Sequence, residues 1–169
     1  MIEKIHKKIQ LDLDEHNKKL LGMTPQEMLL WGYEKFENEF AITTSFGIQS
    51  SVLLYMLCES SLQNKIKIFW IDTGYLPPET YLYAEKLIND LSLEIQVLQS
   101  ELSPARMEAL FGKLWETNKA SDLDKYHDLR KIKPLEEGLE KNNIQCWASG
   151  VRSNQTETRN TMQCIEMIR

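Results

Sequence analysis

One segment constrains the fold more than any other: Phe40 to Val52, which runs Phe-Ala-Ile-Thr-Thr-Ser-Phe-Gly-Ile-Gln-Ser-Ser-Val. Phe40, Ala41, Ile42, Thr43 and Thr44 are apolar or β-branched, the composition of a buried strand. Gly47 supplies a turn, and Gln49, Ser50 and Ser51 lead into the apolar run Val52–Leu57, which reads as a helix continuing to about Ser60. A strand that turns through glycine into a helix leaves backbone N–H groups unpaired at the helix start. Those donors and the positive end of the helix dipole make an anion site. The hydroxyls of Ser45, Ser50 and Ser51 can add donors. A phosphate or sulfate is the expected occupant; a bare connection between strand and helix is the alternative, because this turn alone specifies neither.

The whole chain narrows the choice. Its 169 residues fit one domain with a sizeable core. A net charge of −5 argues against a sequence-independent nucleic-acid binder, which needs a basic face. It leaves room for a small anionic ligand, since the local placement of Arg and Lys matters more than their total. Cys58, Cys146 and Cys164 are odd in number and widely spaced, with no CxxC, which points to a reducing compartment and no zinc or other metal site. No apolar run is long enough to span a membrane. Lys4, Lys7 and Lys8 are not followed by the apolar core of a secretory signal, so the expected location is the cytoplasm.

In chain order, Ile2 to Leu21 carries Ile2, Ile5, Ile9, Leu13 and Leu20 at mostly helical spacing, and Gly22 is a plausible stop. Thr24-Pro25-Gln26-Glu27 has the form of a capped helix start, with Met28, Leu29, Trp31 and Phe36 facing a core. These helices, within residues 1–38, read as packing elements ahead of a nucleotide-binding unit over 39–169. Lys65–Asp72 is a second strand, ending in Asp72-Thr73-Gly74. Tyr75 to Thr80 turns into a helix with Tyr81, Ala84, Leu87, Ile88 and Leu91 at helical intervals, in which Glu79 is a first-turn charge. Leu93–Leu98 is a third strand, and Ser103-Pro104 caps a helix carrying Ala105, Leu110 and Trp115. Asn118–Asp128 reads as a polar, mobile connection, Pro134–Lys141 as a helix and Ile144–Ser149 as a fourth strand, followed by Gly150-Val151-Arg152. Asn154–Arg159 reads as a loop, and Met162–Ile168 as either strand or helix. Strands alternating with helices imply an α/β fold with a mostly parallel sheet, whose ligands bind outside the carboxyl ends of the strands. The serines after the first strand, Asp72-Thr73-Gly74 after the second and Gly150-Val151-Arg152 after the fourth all fall at such ends.

Six pieces in order carry a resemblance: Ser45-Phe46-Gly47-Ile48-Gln49-Ser50-Ser51, Trp70-Ile71-Asp72-Thr73-Gly74-Tyr75, Pro78-Glu79-Thr80-Tyr81, Gly112-Lys113-Leu114-Trp115-Glu116, Lys131-Ile132-Lys133-Pro134-Leu135 and Gly150-Val151-Arg152-Ser153-Asn154-Gln155. From about Phe40 onward the chain resembles the phosphoadenylyl-sulfate (PAPS) reductase family of the adenine nucleotide alpha-hydrolase-like superfamily. The resemblance implies a Rossmann-like three-layer sandwich with a mostly parallel sheet. It implies thioredoxin-dependent reduction of 3′-phosphoadenylyl sulfate to sulfite and adenosine 3′,5′-bisphosphate, in sulfate assimilation and cysteine biosynthesis. The substrate-binding positions it implies are Ser45, Phe46, Gly47, Gln49, Ser50 and Ser51 in a modified pyrophosphate loop, Asp72, Thr73 and Gly74 against the adenosine, and Lys131, Gly150, Arg152, Gln155 and Arg159 around the phosphosulfate. The chemistry agrees: a guanidinium holds two phosphate or sulfate oxygens, a lysine adds a point charge, and both stabilise the negative charge that builds on the leaving nucleotide.

Relatives that reduce adenylyl sulfate place a cysteine pair, ligating an iron–sulfur cluster, where this chain has Tyr126 and His127. The expected branch is therefore cluster-free, with thioredoxin or glutaredoxin as electron donor, no bound cofactor and a possible homodimer. The family's nucleophilic cysteine lies in a Glu-Cys-Gly-Leu-His tail, which would come after Arg169, so no catalytic residue is assigned within this sequence. Cys164, in Met162-Gln163-Cys164-Ile165-Glu166, reads as a small core residue, and Cys58 and Cys146 as packing. Arg130 reads as half of a solvated pair with Lys131, Trp115 and Trp147 as core or pocket wall, and His127 as a surface histidine. The rival readings are an ATP pyrophosphatase or adenylyl transferase of the same superfamily, whose Ser-Gly-Gly-x-Asp-Ser loop this chain lacks, and a non-catalytic nucleotide-binding module.

Overall fold

The computed structural model describes residues 12–151 and 162–167. Four parallel strands, β1 (Phe40–Thr44), β2 (Lys67–Ile71), β3 (Ile95–Leu98) and β4 (Cys146–Ser149), form one sheet in the order β3-β2-β1-β4. Side chains alternate across a strand, so the register decides which residues share a face. Ile42 pairs with Ile68 and with Ala148, and Ile68 with Ile95. These join Phe40 and Trp70 on a face covered by α2 (Pro25–Phe36), α3 (Ile48–Glu59) and α4 (Pro78–Leu91), through Leu29, Phe36, Leu54, Leu57, Ala84 and Leu87. Ala41, Phe69, Leu98 and Trp147 occupy the other face, against Leu135 and Leu139 of α7 (Lys133–Lys141). Helix, sheet and helix make three layers, the α/β architecture expected from the sequence.

Local signals set most boundaries. The Thr24 hydroxyl accepts from Glu27 N–H while the Glu27 carboxylate accepts from Thr24 N–H at 2.7 Å, a complete capping box for α2. Ser103 caps α5 (Pro104–Phe111) through Arg106 N–H, and the helix stops at Gly112, whose φ is +71°. Trp115 therefore lies beyond α5, in a short 3-10 turn over Leu114–Glu116. The third and fourth strands begin two residues later than expected, at Ile95 and Cys146. Leu93 N–H and Ile144 N–H still close the preceding helices, onto the carbonyls of Ile88 and Leu139.

Three expectations are corrected. The stretch Asn118–Asp128 holds α6 (Ala120–His127), which runs through a π-helical turn over Asp128–Ile132 into α7. Its polar composition hides one anchoring ring, Tyr126, which packs on Tyr75 and Trp115. Residues 162–167 form neither strand nor helix. They are held by the Asn17 side chain of α1 (Leu13–Leu20), which bonds both the N–H and the carbonyl of Ile165. Ile165 is the residue that packs on the core, and Cys164 is exposed rather than buried. The apolar positions Ile2, Ile5 and Ile9 lie outside the described residues, as do Arg152, Ser153, Asn154, Gln155, Arg159 and Ile168.

Gly32 of α2 faces the Phe40 ring, and a Cβ there would come within 2.5 Å of it. The ring is locked in the core of the sheet, so a branched side chain has no room to displace it. Gly32→Val is expected to lower the unfolding free energy by about 2 kcal/mol or more, read as a lower urea midpoint; an unchanged midpoint would mean that α2 is free to move off the sheet.

Candidate functional site

The strand order reverses between β1 and β4, because the chain leaves β1 toward β2 and β3 and returns on the other side. In parallel sheets that reversal opens a crevice at the carboxyl ends of the two strands. Two chain segments meet there, and a third, the turn after β2, lies at the tip of the next strand of the sheet.

The first is the loop from β1 into α3. Phe46 has a left-handed backbone, φ +53°, uncommon for a bulky residue. Its ring is buried, edge-on to Trp70 of β2 at 4.9 Å, and its N–H donates to the Thr44 hydroxyl at 3.1 Å. The side chain expected to touch a ligand is thus the anchor of the loop. Gly47 occupies the N-cap position of α3 without a side-chain cap, which leaves the first-turn N–H groups open to an external acceptor. The hydroxyls of Ser50 and Ser51 both donate to the Gly47 carbonyl at 3.0 Å. Ser45 is exposed, with its hydroxyl 3.5 Å from that of Ser50.

The second segment is the end of β4. A Cβ on Gly150 would sit 2.8 Å from Ser50 N and 2.9 Å from Gln49 C. The β4 tip therefore lies directly on the backbone of the α3 start, and the two remote pieces are in contact only because position 150 has no side chain. Arg152 follows two residues later, outside the described residues, as do Gln155 and Arg159.

The third is the turn after β2. Asp72 is buried and fully engaged. One carboxylate oxygen accepts from Gly74 N–H at 2.8 Å and from the Tyr81 hydroxyl at 2.7 Å, the other from Gln99 Nε2 at 2.7 Å. Burial alone would raise its pKa, but these three donors and the nearby Arg130 charge together hold it below the ordinary carboxylate value. Gly74 has φ +74°, and a Cβ on it would meet Pro104 at 2.7 Å and Arg130 Nη2 at 2.8 Å. Tyr75 packs against Trp115 and Tyr126, and its hydroxyl lies 2.9 Å from Glu108 Oε1. Burial, followed by the bond to Glu108, pushes that phenol up to about 12.

Arg130 is the residue that sequence reasoning placed wrongly. It is 2% exposed, and it donates through Nε and Nη2 to the Thr73 carbonyl and through Nη1 to that of Leu102. Its neighbour Lys131 is exposed on the same π turn. The signal that could have found it is Pro134, four residues on. Inside a helical run a proline removes the bond to position i−4 and clashes with that carbonyl. The chain answers with a wider turn, in which Lys133 N–H reaches back to the Asp128 carbonyl. Sequence reading also gives no site role to Gln99, Tyr81 or Tyr126; Gln99 and Tyr126 act through contacts with segments distant in sequence, and Tyr81 through the Asp72 carboxylate one turn and a strand tip away.

The cysteines stand away from the crevice or on another segment. Cys146 is the first residue of β4, at the opposite end of the strand from the crevice, and burial pushes its thiol up to about 11. Cys58 lies in the last turn of α3, its Sγ 4.0 Å from the Leu91 carbonyl. Among the described residues no group of three His, Cys, Asp or Glu side chains is placed to hold a metal ion, and no helix is long and apolar enough to cross a membrane.

Residues 39–168 match the family described as phosphoadenosine phosphosulfate reductase domain. A phosphoadenosine 5′-phosphosulfate reductase of Synechococcus sp. is 41% identical over 157 residues, which cover 93% of this chain and 67% of the relative. A relative of the same name from Shewanella oneidensis is 38% identical, over 92% of this chain and 62% of its own. The chain thus spans about two-thirds of the length of the curated relatives it matches. A crystal structure of phosphoadenylyl-sulfate reductase from Candida auris, in a phosphate complex, superposes with a TM-score of 0.74 at 27% identity, over 87% of this chain and 71% of that one.

The Asp72 network makes acid stability a direct check. Its carboxyl is held below the usual 3.8, so on acidification the unfolded chain takes up this proton first. The stabilisation is complete above that unfolded value and is lost as the pH falls through the folded one. Asp72→Asn is expected to cost about 1–3 kcal/mol near neutral pH, a gap that narrows in urea titrations at about pH 3. A gap that stayed constant with pH would show that the carboxylate charge is not what the three donors hold.

Proposed function

The chain belongs to the phosphoadenosine phosphosulfate reductase domain family, and on that premise we propose that it forms the nucleotide cradle of a thioredoxin-dependent PAPS reductase of sulfate assimilation. The observation that carries this reading is the contact of Gly150 with the backbone of Gln49 and Ser50, which brings the β4 tip onto an uncapped helix start. An anion seated on the α3 N–H groups is then within reach of whatever follows Gly150 in sequence, and Arg152 follows by two residues.

In this reading the phosphosulfate lies against Ser45, Gly47, Gln49, Ser50 and Ser51. The hydroxyls of Ser50 and Ser51 turn from the Gly47 carbonyl to the ligand, while Phe46 fixes the loop from below. Thr73 and Gly74 present main chain to the adenosine, and Asp72 holds their turn in shape. Lys131, Arg152, Gln155 and Arg159 supply the polar and cationic groups around the departing nucleotide, where negative charge grows as its bond to sulfur breaks. The phosphate complex of the Candida auris enzyme supports an anion-binding fold of this shape. Tyr126 and His127, where adenylyl sulfate reductases place cluster-binding cysteines, support the 3′-phosphorylated substrate and the cluster-free branch. The attacking thiolate would come from the family's Glu-Cys-Gly-Leu-His motif, which these 169 residues do not contain, and not from Cys164, which lacks that motif, or from Cys58 and Cys146, both half-buried with raised thiol pKa values. Thioredoxin or glutaredoxin would then release sulfite from the cysteine S-sulfonate. The proposed location is the cytoplasm, and the proposed assembly a homodimer.

Calorimetric titration of the 169-residue chain tests the reading. Adenosine 3′,5′-bisphosphate is expected to bind at one site, more tightly than adenosine 5′-monophosphate, and Arg152→Ala to weaken it about tenfold or more. The chain alone, given PAPS, thioredoxin and reductant, is expected to make no sulfite. Pyrophosphate release from ATP, or no affinity for the bisphosphate, would overturn the proposal.

A further inference from the structure

We infer that Arg130 is a positioning residue of the cradle: its buried guanidinium spans the carbonyls of Thr73 and Leu102 and thereby fixes the main chain of the Asp72–Gly74 turn for the nucleotide. The inference rests on the proposed nucleotide site and goes beyond it, since it assigns a role to a side chain that never meets the ligand.

Burying a guanidinium is costly unless its donors are used and its charge is answered. Here Nε and Nη2 converge on one carbonyl, that of Thr73, while Nη1 takes that of Leu102. The Tyr75 ring lies 5.5 Å from Cζ, a cation–π distance. Among the described residues Arg130 makes no ion pair, so backbone carbonyls and the Tyr75 ring carry most of the compensation. The Thr73 carbonyl and the Gly74 N–H belong to one planar peptide group. Arg130 holds that plane at its oxygen and the Asp72 carboxylate holds it at its N–H, and Gly74 itself leaves no room for a Cβ beside Arg130.

The π turn explains why an arginine next to a solvent-exposed lysine faces inward. Pro134 cannot accept the tight geometry that would place its ring against the Arg130 carbonyl, and the widened turn relieves the clash. Arg130 is then 2% exposed while Lys131 stays in solvent beside it. The two adjacent cations divide the work: one holds the β2 turn from inside, and the other remains free for an anion. A lysine at position 130 cannot substitute, because one ammonium lacks the planar fork that reaches two carbonyls from fixed directions.

The experiment compares the full chain with Arg130→Lys and Lys131→Ala, using calorimetry with adenosine 3′,5′-bisphosphate and the amide NMR signal of Gly74 without ligand. Arg130→Lys is expected to shift the Gly74 amide and weaken binding about tenfold at a temperature where circular dichroism shows it folded. Lys131→Ala is expected to weaken binding with the Gly74 signal unmoved. A folded Arg130→Lys with wild-type affinity and an unmoved Gly74 amide would overturn the inference; so would a variant that loses thermal stability alone, which is the signature of a merely structural side chain. Should the wild-type chain itself fail to bind the bisphosphate, the nucleotide reading falls, and the Gly74 shift still decides whether Arg130 sets the turn.

Discussion

Two strands that run parallel and end side by side must send their chains away over the same edge of the sheet. At the β1–β4 boundary both chains have somewhere to go only because one of them has no side chain at the crossing. Gly150 rests on the backbone of Gln49 and Ser50, at separations a Cβ would bring to 2.8–2.9 Å. The α3 start cannot retreat, since Phe46 is pinned to Trp70 and Leu54 and Leu57 are sunk in the core. Nor can β4 retreat, since its ladder to β1 runs from the Phe40–Cys146 pair to the Thr43–Ser149 pair. The helix start therefore stays uncapped by any side chain of its own, with a neighbouring strand end held against it. The anion site proposed here would be a consequence of that steric arrangement more than of any single charged group.

Electrostatics then fits a protein that is acidic overall. A small dianion responds to the field within a few ångströms, because charges farther away are screened. At the β2 tip the negative charge of Asp72 is consumed by three donors and the Arg130 field, so it presents no repulsive carboxylate to a ligand. Arg130 in turn spends its donors on carbonyls. Ser45 and Lys131 are exposed and the start of α3 carries no side-chain cap, all of which is compatible with an anion.

How much of this could be read from the sequence depended on how far each determinant lies along the chain. Short apolar runs, β-branched in β1, marked the strands, and their alternation with helices implied the parallel sheet. The Thr24–Glu27 box and the Ser103 cap fix helix starts within three residues, and both were legible. The strand tips were legible as a group, because glycine and polar residues punctuate each of them. Long-range determinants were not legible. Asn118–Asp128 has the composition of a connection, and it is helical because Tyr126 finds Tyr75 and Trp115. Cys164 reads as a core residue because no glycine or histidine adjoins it, yet Asn17 grips the backbone of Ile165 and leaves the thiol outside. Asp72 was legible as a strand-tip residue, but its partners Tyr81 and Gln99 come from α4 and from the end of β3.

Arg130 shows what a purely local reading leaves out and what a better one would use. Beside Lys131 in a polar stretch, an arginine has the look of a solvated charge. The geometry that turns it inward is encoded four residues later, by a proline that a continuous helix cannot accommodate without widening. The same turn then meets a glycine that a Cβ would close off, at the tip of a strand more than fifty residues earlier in the sequence. Proline, arginine and glycine each look ordinary alone. Together they form one device, in which a helix defect delivers a buried cation to a strand tip and the strand tip has been left open to receive it. A substitution at any of the three positions should therefore be felt at the other two, and the turn that presents Thr73 and Gly74 is where their effects converge.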